Sequence, residues 1–144
     1  MKDTMFSCLG IQPSFDVDAA ELERRYKSLQ RSLHPDRHAN SSLQQRRIAL
    51  AKSVDVNRAY RMLRDPIRRA EALLAFYGLH EAAREEVDDS EFLMEMMDTR
   101  ERLAQLRIAK ALEPLAELKG NIEGRWEKGV QGLSSAFELL EGEG

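Results

Sequence analysis

The chain is short of the residues that build disulfides, sheets and membrane spans. It contains one cysteine, Cys8, among 144 residues, so no disulfide can form within it, and no cluster of cysteine and histidine has the spacing of a structural zinc site. Glycine and proline are sparse, with 8 and 4 residues, and runs of β-branched residues are absent. No apolar run reaches the roughly 18 residues that a membrane-spanning helix needs. We therefore expect a soluble protein in a reducing compartment.

Hydrophobic residues make up 42% of the chain, which is ordinary for a folded protein and too high for a wholly disordered one. Leu, Ala, Glu and Arg dominate the composition, and all four are strong helix formers. The length suits one domain, or two very small ones that share a core. The composition therefore predicts an all-α fold.

The net charge of −3 hides a division of charge along the chain. Residues 1–70 contain 14 Lys and Arg against 8 Asp and Glu, whereas residues 71–144 contain 8 against 17. Such asymmetry indicates two surfaces with different partners. The basic half is too mixed in sign to indicate a dedicated nucleic-acid-binding protein, although a helical nucleic-acid binder stays open as an alternative.

An amphipathic helix is predicted from about Leu22 up to a turn formed by His34, Pro35 and Asp36. Apolar residues recur along it at spacings that place them on one face: Leu22, Tyr26, Leu29 and Leu33. The opposite face carries basic residues: Arg24, Lys27 and Arg31. The helix should end at the turn because the residue before a proline is driven out of the helical region. We interpret the basic face and the polar turn together as a docking surface.

A second long helix is predicted from about Leu43 to Arg64. Its apolar stripe can pack antiparallel against that of the first helix and contains Ala49, Val56, Ala59 or Tyr60, and Leu63. Asp65 suits the N-cap and Pro66 the first position of a further helix, which should stop at Gly78. We place a domain boundary close to that glycine.

The acidic half predicts two more long helices after a charged connection over residues 80–90. The first begins at Ser90 and is apolar around most of its circumference, so one side can face a local core while another is left uncovered. Pro114 is predicted to end or kink this helix, and Gly120 to end its last turn. The final helix carries an apolar stripe that we interpret as core: Trp126, Val130, Leu133, Phe137 and Leu140.

Residues 1–66 resemble a J-domain, the DnaJ-type module that stimulates the ATPase of DnaK-type chaperones. The resemblance lies in YKSLQRSLHPDRH around the turn, VNRAYRMLRDP at Val56–Pro66 and the opening MFSCLGI. It implies that His34, Pro35 and Asp36 dock at the nucleotide domain and linker of the chaperone. It also implies that basic residues steer the encounter: Arg24, Arg25, Lys27, Arg31 and Arg37.

Two later segments resemble the HscB family of iron–sulfur cluster assembly co-chaperones, namely RDPIRRAEALLAFYG and EFLMEMMDTRERL. In that family a J-domain precedes a helical bundle that binds the cluster scaffold protein. The resemblance implies a J-domain at residues 1–76 and a bundle at residues 77–144, shorter than is usual in the family. The residues that it assigns to the scaffold are Leu93, Met94, Met97, Asp98 and Glu101. It implies the bacterial cytoplasm, or the mitochondrial matrix for a eukaryotic source.

We therefore predict a co-chaperone rather than an enzyme, with no cofactor, metal, nucleic acid or membrane among its ligands. His34 and His38 stand four residues apart, but Pro35 interrupts the helix that a metal pair would need and no third ligand is near. A general base made of histidine and aspartate lacks a neighbouring nucleophile. Two alternatives stay open: a J-domain protein with a different client, and a non-catalytic helical module that binds protein or nucleic acid.

Overall fold

The computed structural model describes residues 4–81 and 89–142, and within those ranges the protein is helical without a strand, as predicted. The helices are α1 (Met5–Cys8), α2 (Ala19–Ser32), α3 (Leu43–Arg64), α4 (Pro66–Phe76), α5 (Ser90–Ile108) and α6 (Leu112–Gly142), with a 3₁₀ helix at Pro35–His38. None of these helices is both long enough and apolar enough to cross a membrane. Most of the connection predicted over residues 80–90 lies outside the described residues.

Side-chain caps explain where the main helices begin. Asp18 accepts hydrogen bonds from the first backbone N–H groups of α2, and Asp65 does the same for α4, whose first residue is Pro66. Ser42 and Gln45 form a reciprocal capping box at the start of α3. Because the first N–H groups of a helix have no partner within it, these oxygens stabilise the starts at these positions.

The described residues divide into two compact units, of which the first comprises residues 4–81 and 137–142. In this unit the ring of Tyr26 on α2 stacks on Tyr60 of α3, with centroids 4.1 Å apart. The Tyr26 hydroxyl donates to Asn57 Oδ1 at 2.7 Å, and Ser53 O accepts from Gln30 Nε2 at 3.4 Å. The contact residues move forward along α2, from Tyr26 to Gln30, and backward along α3, from Tyr60 to Ser53. This order confirms the predicted antiparallel pair.

The core of the first unit holds every hydrophobic residue that is buried among the described parts of the chain. Its members from α3 form the stripe that the sequence predicts. The full set is Phe6, Leu9, Phe15, Leu22, Ala49, Val56, Ala59, Leu63, Ala70, Leu73 and Phe137.

The last turns of α6 contribute to this core through an aromatic stack. Phe137 is 5% exposed and stacks on Phe15, with ring centroids 5.4 Å apart. The guanidinium carbon of Arg69 lies 4.8 Å from the centroid of the same Phe15 ring, and Arg69 Nη1 donates to Leu63 O at 2.7 Å. Burial of the guanidinium lowers the pKa of Arg69. The connection before α2 is therefore clamped by residues from α4 and α6.

The second unit comprises residues 89–136, which contain α5 and most of α6. The two helices are antiparallel, since Glu95 in the early part of α5 pairs with Arg125 far along α6, with Oε2 and Nη2 2.7 Å apart. None of the described residues of this unit is buried. The interpretation of Trp126 as core is wrong, because its side chain is 52% exposed, whereas Phe137 on the same stripe is core of the first unit. Val130, Leu133 and Leu140 are half-buried.

The predicted end of α5 is also wrong. The helix stops at Ile108, and Lys110 takes a left-handed conformation with φ of 52°. Pro114 lies in the first turn of α6, where its missing N–H would have no partner in any case. Gly120 lies inside α6, which tolerates it because a glycine within a helix costs only about 1 kcal/mol relative to alanine.

Candidate functional site

The turn between α2 and α3 exposes the three residues that the sequence singled out. His34 caps the 3₁₀ helix, and its Nδ1 accepts from the backbone N–H of Asp36 at 3.3 Å. Pro35 is the first residue of that helix, and Arg37 N donates to His34 O at 3.0 Å. The side chain of Asp36 is 92% exposed and that of His34 57% exposed. The turn thus presents an imidazole and a carboxylate to solvent on a short, hydrogen-bonded backbone.

Acidic neighbours on α2 neutralise part of the predicted basic surface. Arg24 and Arg25 both pair with Glu21, and Lys27 pairs with Glu23 at 2.7 Å. The hydrogen bond between Lys27 and Glu23 raises the pKa of the lysine and lowers that of the glutamate. These cations keep their charge, but two glutamates, each one helical turn away, offset two of the three positive charges, since Arg24 and Arg25 share Glu21.

Arg25 also has a structural contact outside its own helix. Its Nη1 donates to the carbonyl of Gly10 at 2.6 Å, and Gly10 has a positive φ of 65° where α1 ends. In contrast, Arg31 and Arg37 are exposed and form no ion pair among the described residues. The two members of the predicted set without an ion pair among the described residues therefore lie beside the turn, Arg31 near the end of α2 and Arg37 in the 3₁₀ helix.

The residues that the sequence assigned to a scaffold protein all lie on α5, in the second unit. Leu93, Met94 and Met97 are 63%, 67% and 70% exposed, and Asp98 and Glu101 are exposed as well. Spacings of three and four residues bring them onto adjoining positions of one helix surface, with apolar groups followed by carboxylates. These five residues therefore lie together on α5 in the second unit, whereas His34, Pro35 and Asp36 lie together in the first unit.

Trp126 is an exposed residue that the sequence predicted to be core. Trp126 directly follows Arg125, whose guanidinium pairs with the carboxylate of Glu95 on α5. Its indole is half exposed and large enough to extend an apolar contact surface. One feature of the sequence indicates this exposure. The acidic half predicts two helices, so a single helix, α5, is available in that half to cover the apolar stripe of α6.

The parts of the chain that the structure describes bring no three His, Cys, Asp or Glu side chains together as metal ligands would stand. His34 and His38 lie on the same turn, but the closest polar contacts of their ring nitrogens are to Asp36 and to the carbonyl of Ser32. The geometry around the turn is thus that of a hydrogen-bonded loop.

Comparison with protein families divides the chain in the same order. Residues 4–72 match the model of the DnaJ domain, and residues 88–142 match the model of the HSCB C-terminal oligomerisation domain. A curated relative from Shewanella pealeana, named co-chaperone protein HscB homolog, is 43% identical over 138 residues, which are 94% of this chain and 76% of the relative. A relative of the same name from Neisseria meningitidis is 39% identical and covers 92% of this chain and 80% of the relative.

Two solved structures have a similar fold. Chaperone HscB from Vibrio cholerae superposes with a TM-score of 0.85 at 29% identity, over 96% of this chain and 82% of that one. Human co-chaperone protein HscB superposes with a TM-score of 0.79 at 31% identity, over 99% of this chain and 71% of that one. The likeness thus extends over the residues of both units.

Proposed function

This chain belongs to the HscB family of co-chaperones, and from that premise we propose that it stimulates the ATPase of a DnaK-type chaperone and brings it an iron–sulfur cluster scaffold protein. Residues 1–76 would supply the first activity and residues 77–144 the second. The observation that carries the proposal is the exposed, hydrogen-bonded turn of His34, Pro35 and Asp36 inside the segment that matches the DnaJ domain. The chaperone and the scaffold would share its compartment, the cytoplasm of a bacterium or, for a eukaryotic source, the mitochondrial matrix.

The turn acts by differential binding. ATP hydrolysis takes place in the active site of the chaperone, and a co-chaperone raises its rate by binding the hydrolysis-competent state more tightly than the resting state. His34 and Asp36 supply groups that can hydrogen-bond with the chaperone, and Pro35 limits the conformations of the backbone that presents them. Arg31 and Arg37 supply the unmatched positive charge that attracts an acidic surface.

The patch on α5 is suited to holding a protein partner. Three large apolar side chains, Leu93, Met94 and Met97, stay more than half exposed, which indicates an interaction surface. Asp98 and Glu101 adjoin them and would select a partner with a basic rim. Methionine adapts its shape to the surface it meets, so two of them suit a site that receives a folded scaffold.

The first test replaces His34 by glutamine, which has a similar size but cannot act as an imidazole. We expect wild-type protein to raise ATP turnover by a DnaK-type chaperone from the same organism and His34→Gln to leave turnover at the unstimulated rate. His80→Gln is the matched control, because His80 is an exposed histidine outside the turn. Equal stimulation by wild type and His34→Gln would reject this mechanism.

The second test removes two apolar groups from the patch on α5. The double substitution Leu93→Ala with Met97→Ala should raise the Kd for the cluster scaffold protein about tenfold or more, since two central contacts are truncated. Stimulation of the chaperone without scaffold should stay unchanged. Leu112→Ala is the matched control, as Leu112 is 79% exposed in the same unit. An unchanged Kd in titration calorimetry would exclude the patch.

A further inference from the structure

We propose that His38 is a positioning residue, which holds the turn of His34, Pro35 and Asp36 against the end of α2 in the conformation that the chaperone binds. The inference rests on the proposed function and adds a residue to it. It starts from one contact: the Nε2 atom of His38 lies 3.0 Å from the carbonyl oxygen of Ser32, six residues earlier.

The chemistry of a helix end explains why this contact matters. The last carbonyl groups of a helix have no partner within it, and Ser32 is the last residue of α2. A carbonyl oxygen can only accept, so the His38 ring must donate from Nε2, which both its neutral and its protonated form can do. The imidazole therefore satisfies a group that would otherwise depend on water.

The hydrogen bond also closes a ring of backbone around the turn. The chain leaves α2 at Ser32, passes through the three turn residues and returns at His38 to the carbonyl where it left. Inside the ring, Arg37 N donates to His34 O at 3.0 Å. Outside it, Ser41 N donates to His38 O at 3.0 Å and leads the chain into α3. His38 thus joins the end of one helix to the approach to the next.

A contact from His38 is needed because the side chains of the three turn residues cannot fix the conformation of the turn. Pro35 and Asp36 are exposed, and the bond between His34 Nδ1 and Asp36 N spans only two residues. His38 is more covered and lines an open cleft of about 380 Å³ together with Leu33, Ile48 and Ala49. A mobile turn would have to be ordered when it docks, and that ordering weakens binding. A turn held by His38 is ordered beforehand.

The test compares His38→Leu, which removes the donor, with His38→Gln, whose amide nitrogen can donate over a similar reach. We expect His38→Leu to raise the concentration that half-maximally stimulates the chaperone about fivefold, with the maximal rate unchanged within about twofold. His38→Gln should restore the half-maximal concentration. Hydrogen exchange at the amide of Arg37 should become faster in His38→Leu and return towards the wild-type rate in His38→Gln.

Two results would overturn the proposal. If His38→Gln is as defective as His38→Leu, the ring itself contacts the chaperone rather than holding the turn. If exchange at Arg37 is the same in all three proteins, the turn does not depend on His38, whatever the ATPase assay gives. Failure of the proposed function is a separate outcome, since wild-type protein would then leave chaperone turnover unchanged. Thermal unfolding of both variants checks that each is folded.

Discussion

At the scale of single residues, the electric field around a basic side chain depends on the acidic residues one helical turn away. Arg24, Arg25 and Lys27 belong to the residues predicted to steer the encounter, yet all three form ion pairs with glutamates of the same helix, Arg24 and Arg25 with the same one. Exposed ion pairs of this kind contribute little stability, but they reduce the field that a distant partner meets. Arg31 and Arg37 are the members of the predicted set without an ion pair among the described residues.

This difference predicts unequal effects on association with the chaperone. Arg31→Ala should slow the association rate about threefold at low ionic strength, because it removes an unmatched charge beside the turn. Arg24→Ala should slow it less, since Arg24 lies about 15 Å back along α2 from the turn and shares Glu21 with Arg25 as a neighbouring anion. Stopped-flow measurements at two salt concentrations test this, and the two variants should converge as salt rises. Equal losses at low salt would show that the pairs on α2 do not matter for steering.

At the scale of elements, the starts of the helices are predictable and their continuation is less so. Asp65 and Pro66 are recognisable from residue type alone, because a cap acts on atoms within one turn of itself. Whether Pro114 and Gly120 end a helix is not recognisable from residue type. A proline in a first turn and a glycine inside a long helix cost too little free energy to decide a boundary.

The glycines give a prediction at this scale. A Cβ added to Gly120 would meet no atom within 4 Å, so Gly120→Ala should stabilise α6 by up to about 1 kcal/mol. A Cβ at Gly78 also meets open space, but Gly78 has a φ of 75°, so Gly78→Ala should destabilise the protein by about 1 kcal/mol. Urea unfolding followed by circular dichroism compares the two. If both substitutions changed the free energy of unfolding in the same direction, the prediction would be wrong.

At the scale of the whole molecule, residues far apart in sequence complete one core. Phe137 belongs to the first unit, in which residues 137–142 join residues 4–81. Its ring covers Phe15, whose position in the stack also depends on Arg69. The J-domain segment therefore relies for part of its core on the last turns of the chain that the structure describes.

Phe137→Ala should consequently destabilise the first unit by about 3–5 kcal/mol, the usual cost of removing a buried aromatic ring. Such a loss is large against the stability of a typical domain and should lower Tm clearly. The control is Leu139→Ala, two residues further along α6, where the side chain is 74% exposed and the expected change is within about 0.5 kcal/mol. Differential scanning calorimetry of wild type, Phe137→Ala and Leu139→Ala measures the three Tm values. Equal Tm values for wild type and Phe137→Ala would mean that Phe137 does not support this core.

The sequence by itself determined α2, α3 and α4, the antiparallel pair of α2 and α3, and the turn at His34, because periodicity, caps and proline act over a few residues. The tertiary structure alone decided that Phe137 is core and Trp126 is not, although both lie on one apolar stripe of α6. It also decided that Arg25 reaches Gly10 and that His38 reaches Ser32. Burial and such contacts depend on which element lies opposite a residue, and a pattern along one helix does not contain that information.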